Sequence, residues 1–214
     1  MSCATPFPFV IKICGITNEE DAAIAVAAGC NALGFNFYPK SPRFITLERA
    51  HAIAATLPDS VLKVGVFVEP PTPELQKVID DVPLDVVQLH GNHVPSVPYR
   101  TWRALTATGR NPQESLLAEA ILLDSASHDY GGSGKTFDWK LATRFWQPII
   151  LAGGLDASNV GEAIDAARPA GVDSCSRLEA TPGRKDAGKV MAFVRAARQA
   201  HLQIISASSE MISS

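Results

Sequence analysis

Eight short apolar runs, spread along 214 residues, limit what this chain can fold into more than any other feature of it. They are Phe9–Cys14, Ala32–Phe37, Leu62–Val68, Val86–His90, Arg100–Thr106, Ala120–Asp124, Ile149–Leu151 and Gly171–Cys175. Near-continuous apolar runs, without strict alternation, suit parallel strands covered on both faces. The fifth is diluted by Arg100, Thr101 and Arg103. Helical patterns separate most of the runs, which places the chain in the α/β class with a parallel sheet. Eight repeats favour closure into a (β/α)8 TIM barrel over an open sheet. No GxGxxG follows the first run, where a dinucleotide-binding sheet would want it. Such barrels usually need about 250 residues, so the connections here must be tight. With no linker and no charge block, residues 1–214 are expected to form a single domain. A short extension (1–8) and a polar, frayed tail (206–214) flank it.

The helix signals are specific. Thr17 followed by Glu20 reads as a capping box, with Ile24, Ala27 and Ala28 on one face and Gly29 as the stop. Ala50, Ile53, Ala54 and Leu57 form a second stripe, capped by Thr46 and stopped by Pro58. Asp156 is expected to cap a helix running through Ala167. Asp186 should open the last helix, ending near His201.

Composition excludes several classes of function. A net charge of −3, with 46 % apolar and 19 % charged residues, describes an ordinary globular chain rather than a disordered one. Nucleic acid is not expected as a partner, because a phosphate backbone demands a basic surface. No apolar run approaches the ~20 residues needed to span a bilayer, so no membrane partner is expected either. Cys3, Cys14, Cys30 and Cys175 form no CxxC pair and no metal-like spacing with the five histidines. We therefore expect no metal, no cofactor, and reduced thiols in a cytoplasmic protein. Pro6-Phe7-Pro8-Phe9 suits either a cover for the barrel floor or a contact with a second copy, which leaves monomer and homodimer both open.

In a barrel of this kind the active site lies at the carboxyl ends of the strands. Those ends carry Cys14, the 37–43 loop with Arg43, Glu69, His90, Thr106, Asp124, Gly153-Gly154 and Cys175-Ser176-Arg177. Cys14 lies just before a helix N-terminus, which lowers a thiol's pKa and makes a competent base or nucleophile; its alternative is a buried structural thiol. Asp124 closes an apolar strand, where desolvation raises a carboxyl pKa and suits a general acid; its alternative is a turn cap. Gly153 and Gly154 after strand seven, with Ser176 and Arg177 after strand eight, occupy the loops that commonly hold phosphate. Arg43 has the fork that grips a carboxylate, unless it is a plain surface arginine. His90 is either a substrate contact or a satisfied core histidine. Gly131-Gly132-Ser133-Gly134 precedes Lys135-Thr136, but Asp129 stands where a P-loop needs glycine, so a lid over the site is the better reading.

Taken in order, these segments resemble the phosphoribosylanthranilate isomerase family. The likeness runs through Lys12-Ile13-Cys14-Gly15-Ile16-Thr17, Gly34-Phe35, Ser41-Pro42-Arg43, residues 64–68 and Val87-Gln88-Leu89-His90-Gly91. It resumes at Leu122-Leu123-Asp124-Ser125, residues 131–139, Leu151-Ala152-Gly153-Gly154-Leu155 and Pro182-Gly183-Arg184-Lys185-Asp186. The resemblance implies an Amadori rearrangement of a small phosphorylated aminosugar without cofactor. Cys14 would be the base, Asp124 the acid, Arg43 the holder of the anthranilate carboxylate, and Asp173 a further substrate contact. One stretch departs from the family, which usually has Ser-Ser-Gly-Val-Glu after the aspartate of strand eight. Here Ser174-Cys175-Ser176-Arg177-Leu178-Glu179 follows Asp173, and Arg177 replaces the glycine. A left-handed backbone there would be strained, whereas a helical turn would tolerate the side chain.

Two rival functions use the same residues. A thiol hydrolase would combine Cys14, His90 and Asp124 as a triad and form an acyl-enzyme. A non-catalytic sugar-phosphate sensor would bind without turnover. Histidine-pathway isomerases run the same chemistry but usually with two aspartates, so Cys14 discriminates against them.

Overall fold

The computed structural model describes residues 7–107, 117–124 and 138–212. Eight parallel strands close into a barrel in sequence order. They are β1 (Val10–Cys14), β2 (Ala32–Asn36), β3 (Leu62–Val68), β4 (Val86–His90), β5 (Thr101–Thr106), β6 (Ala120–Asp124), β7 (Ile149–Leu151) and β8 (Gly171–Ser174). Each coincides with an apolar run of the sequence to within a residue at either end. Closure is made by β1 and β8, with Val10 opposite Gly171 and Ile13 opposite Ser174.

The strand period of two sorts each run into two buried sets. Val10, Ala32, Val64, Val86, Trp102, Ala104, Ala120, Leu122, Ile150 and Ala152 face inward and pack as one cluster. Ile13, Leu33, Phe35, Phe67, Leu89, Leu105, Ile121, Leu123 and Val172 face outward into a larger core with the helices. Burial on both faces is why the runs show no alternation of polarity. Phe7 packs against the inner cluster with its ring 6.3 Å from that of Trp102, and Phe9 stacks on His201 at 3.8 Å. Residues 7–9 therefore cover the barrel floor.

The helices are α1 (Glu19–Ala28), α2 (Leu47–Ala54), α3 (Thr72–Asp81), α4 (Val160–Ala167) and α5 (Ala187–Ile212). Thr46 caps α2, Gly29 ends α1 at φ 93°, and Asp186 Oδ1 accepts from Lys189 N at 2.9 Å to open α5, all as expected. Three expectations are corrected. The cap of α1 is Asn18, whose Oδ1 accepts from Asp21 N at 2.9 Å, while its Nδ2 donates to Asp21 Oδ2 at 2.8 Å. Thr17 is drawn away because its hydroxyl donates to Gly183 O at 2.7 Å. Next, α4 begins at Val160, four residues beyond Asp156, with Asn159 at its N-cap position; the Asp156 carboxylate instead accepts from Ser158 N in the preceding turn. Finally, α5 runs through Ile212 instead of ending near His201, so residues 206–212 are helical. No Gly or Pro interrupts residues 189–212, and a helix already nucleated on the barrel extends at little cost.

Strand and helix do not alternate throughout. Residues 91–100 join β4 to β5 with no helix, since Pro95 and Pro98 deny the backbone its helical hydrogen bonds. A 3-10 segment, Trp139–Arg144, precedes β7. The short β4–β5 connection helps a chain of this length close a barrel. After β8 a 3-10 turn (Ser176–Leu178) leads into a small hairpin, β9 (Glu179–Thr181) and β10 (Arg184–Lys185), which the apolar pattern does not mark. The expected lid residues Gly131, Gly132, Ser133 and Gly134 lie outside the described residues. No helix among the described residues is long and apolar enough to cross a membrane.

One ion pair lies across the seam of the barrel. Lys12 is fully buried and its ammonium donates to Asp173 Oδ1 at 3.0 Å, across the β1–β8 seam. Removing one partner of a buried pair strands the other charge. Lys12→Met should therefore cost about 3–5 kcal/mol in urea unfolding, and pairing it with Asp173→Leu should recover most of the loss. A single variant as stable as the wild type would disprove this. At the other end of the scale, Asn18→Ala should lower stability by about 1 kcal/mol, read as a fall in the unfolding midpoint.

Candidate active site

The carboxyl mouth of the barrel is assembled by strand alternation. Val10, Lys12 and Cys14 share the inward face of β1; Val86, Gln88 and His90 share that of β4, and Ala120, Leu122 and Asp124 that of β6. On β8 the inward position is Asp173, and Cys175 follows two residues later, just past the strand. Cys14, His90 and Asp124 thus project toward one mouth, as the strand-end reading expected.

Around Cys14 the packing is tight. Gly34 sits beside it on β2, and a Cβ there would lie 2.8 Å from Cys14 Sγ and 3.0 Å from Lys12 Nζ. Only a glycine leaves room for both groups. Cys175 Sγ lies 2.9 Å from where a Cβ on Gly15 would be, so the second thiol rests over the backbone that follows Cys14. The neighbouring Cys175 thiol and the Lys12 ammonium lower Cys14 to about 7 despite burial. Cys14, together with burial, pushes Cys175 well up. Burial works against the Lys12 ammonium, but the charges of Asp173 and Cys14 outweigh it and leave Lys12 raised. Cys30, far from this cluster, is pushed up to about 12 by burial, consistent with a structural thiol. Cys14, Cys30 and Cys175 are all free thiols.

His90 is held differently. Its Nε2 lies 2.7 Å from Gln88 Nε2, and burial, with Lys12 and Arg103 nearby, lowers it to about 3. A neutral imidazole engaged by a glutamine is poorly placed to serve as the base of a Cys-His-Asp triad. Arg43, in the loop after β2, gives two of its five donors to Glu179: Nε to Oε1 and Nη2 to Oε2, both at 2.8 Å. Glu179 also accepts from the buried Lys185 Nζ at 3.2 Å. Burial would raise Glu179, yet the two cations hold it below its usual value. The Arg43 guanidinium is thereby fixed at the rim, with its remaining donors still uncommitted by Glu179.

The loops after β7 and β8 are tied to each other. Ser174 Oγ donates to Leu155 O at 2.6 Å, and Arg177 Nε lies 3.5 Å from Asp156 Oδ2. Gly153 and Gly154 adopt φ 85° and 66°, which other residues rarely do. Arg177 is not among the described non-glycine residues at positive φ; it sits half exposed in the 3-10 turn with Ser176. The replacement of the expected glycine is therefore tolerated without backbone strain.

Sequence reasoning did not single out Lys12, Gly34, Glu179 and Lys185, and assigned Cys175 no role. A lysine inside Val-Ile-Lys-Ile-Cys and a glycine inside Ala-Leu-Gly-Phe-Asn were visible signals. Glu179 and Lys185 were not, because their meeting depends on the hairpin fold.

Comparisons with known proteins converge with this geometry. The family model for N-(5'-phosphoribosyl)anthranilate isomerase matches residues 11–196. A relative from Solibacter usitatus, named N-(5'-phosphoribosyl)anthranilate isomerase, is 46 % identical over 198 residues, covering 89 % of this chain and 98 % of its own. The crystal structure of phosphoribosyl anthranilate isomerase from Thermotoga maritima superposes with a TM-score of 0.80 at 40 % identity, covering 89 % of this chain and 99 % of that one. A further crystal structure of the isomerase, in complex with reduced 1-(o-carboxyphenylamino)-1-deoxyribulose 5-phosphate, gives 0.73 at 35 % identity with the same coverage. The family-model match over residues 11–196 and the relative 46 % identical over 198 residues place this chain in the N-(5'-phosphoribosyl)anthranilate isomerase family of tryptophan biosynthesis.

Proposed function

We propose that this isomerase converts N-(5-phosphoribosyl)anthranilate to 1-(2-carboxyphenylamino)-1-deoxyribulose 5-phosphate, with Asp124 as general acid and Cys14 as general base. The observation that carries the reading is the setting of Cys14: an inward thiol at the strand end, lowered to about 7 beside a buried ammonium. A base poised near neutral pH combines a useful thiolate fraction with enough basicity to take a proton.

The steps follow from the substrate. Asp124 delivers its proton to the furanose ring oxygen, the C1–O bond breaks, and the anthranilate nitrogen supplies the electron pair for a C1 iminium. That cation acidifies the hydrogen on C2, and the Cys14 thiolate removes it. The resulting enolamine tautomerises to the ketone, so the overall change is an isomerisation with no net gain or loss of protons. Lys12, under Cys14, stabilises the thiolate before the transfer. The loops after β7 and β8 hold the phosphate through Gly153, Gly154, Ser176 and Arg177. Arg43 offers its remaining donors to the anthranilate carboxylate. His90, neutral, and Asp173, bound to Lys12, line the sugar's path. Support for a ligand of this shape comes from the related isomerase that binds the reduced product analogue.

The test follows the fluorescence of freshly made phosphoribosylanthranilate. Turnover by the wild type should fall by about 10²–10⁴-fold in both Cys14→Ser and Asp124→Asn. A folded wild type that binds this substrate without converting it would put the sensor reading first. The pH profile supplies an independent check. A base works only when deprotonated, so kcat/KM should rise with pH through about 7, where Cys14 loses its proton. A rate indifferent to pH between 5 and 9 contradicts the assignment.

A further inference from the structure

Glu179 is an almost wholly buried carboxylate at the same mouth, and the acid–base scheme above gives it no task. It opens β9, and its place on the hairpin is fixed by groups other than Arg43. Its backbone oxygen accepts from Lys189 Nζ, in the first turn of α5, at 2.8 Å. Its Oε1 accepts from the fully buried Lys185 Nζ at 3.2 Å, and the Cys175 thiol donates to the same oxygen at 3.9 Å. The carboxylate is a built part of the hairpin rather than a mobile surface group.

Arg43 meets that carboxylate along one edge. A guanidinium is planar, carries donors on every nitrogen and accepts nothing. Glu179 takes the edge formed by Nε and Nη2, with both bonds at 2.8 Å. The donors on Nη1 and the second hydrogen of Nη2 form another edge in the same plane, and among the described residues Nη1 has no partner. The stem of Arg43 crosses Gly15, the residue after Cys14. A Cβ on Gly15 would lie 3.0 Å from Arg43 Cδ and 3.3 Å from Cγ. Stem and guanidinium are therefore both held from the protein side, next to the strand end that carries Cys14.

We propose that Glu179 is a positioning residue for substrate selection: by filling one edge of Arg43 it sets the plane of the guanidinium, so that the other edge selects a substrate whose aromatic amine bears a carboxylate. Its premise is the role of Arg43 proposed above, as holder of that carboxylate. A free arginine loses side-chain freedom when it grips a ligand, whereas this one has lost it on folding. The two oxygens of a second carboxylate match the open edge as those of Glu179 match the closed one. An amine without that group leaves charged donors covered with nothing to accept from them, and sites built this way reject the incomplete ligand.

The test compares two probes, reduced 1-(o-carboxyphenylamino)-1-deoxyribulose 5-phosphate and the same compound made from aniline, which lacks the carboxylate. Dissociation constants are measured by calorimetry on the full chain, as wild type, Glu179→Gln, and Glu179→Gln combined with Lys185→Met. Glutamine keeps the shape, but whichever way its amide turns, one of the two bonds to Arg43 is lost. The second substitution removes the ammonium that glutamine would strand. Wild type should prefer the carboxylated probe by about 10²-fold, the scale of hydrogen bonds between charged groups. In both variants that preference should fall by about tenfold, while affinity for the aniline probe changes by less than about twofold. A purely structural clamp weakens both probes alike, and equal losses overturn the proposal. So does a crystal structure of the wild type with the carboxylated probe in which Arg43 has left Glu179, a result that needs no variant to fold. A wild type indifferent to the carboxylate sinks the reading of Arg43 and the proposal with it. Variants that discriminate as well as a discriminating wild type sink the role of Glu179 alone.

Discussion

Lys12 and Asp173 meet in the middle of the barrel, at 3.0 Å and almost wholly out of water, across the seam where the first and last strands join. Neither charge could stay buried alone, so each fixes the depth and rotamer of the other, and with them the register of closure. Such a pair is seldom worth more than well-packed apolar residues of the same volume. Its position shows what else it does. Lys12 ends beside Cys14 and puts a permanent positive charge under a thiol that burial alone would keep protonated. One interaction thereby links the topology of the barrel to the thiol at its mouth.

A second network surrounds it higher up. Arg43, Glu179 and Lys185 come from three separate segments, the loop after β2 and the two strands of the hairpin after β8. Glu179 balances both cations, and the cluster clamps the hairpin onto the mouth. Lys185 N also donates to Asp21 Oδ2 at 2.9 Å, so the same hairpin is fastened to the first turn of α1. The ordering extends from the outer helices to the thiols in steps of one hydrogen bond each.

The parts of the site that were legible in the sequence are those fixed by strand period. Cys14, His90 and Asp124 end apolar runs, and a run covered on both faces sends its last residues to the mouth whatever its neighbours are. Gly153 and Gly154 were legible because two adjacent glycines after a buried strand mark a backbone that other residues avoid. The cap of α1 was misplaced by one residue because Thr17 and Asn18 are both good caps locally. The choice fell to Asn18 once Gly183, 166 positions away, took the Thr17 hydroxyl. The helix after Asp156 and the length of α5 were displaced similarly, since side-chain propensity alone does not say which turn docks.

By itself, the sequence determined the eight-strand barrel and the residues at each strand tip, because these follow from periodicity and residue type within short windows. Tertiary structure decided which distant charges became partners. Asp173 was spent on Lys12 and Glu179 on Arg43 and Lys185, while Cys175 came to rest over Gly15. Each of these contacts joins residues brought together only by barrel closure or by the hairpin beyond it. Their energies depend on burial and on angles that no local pattern encodes.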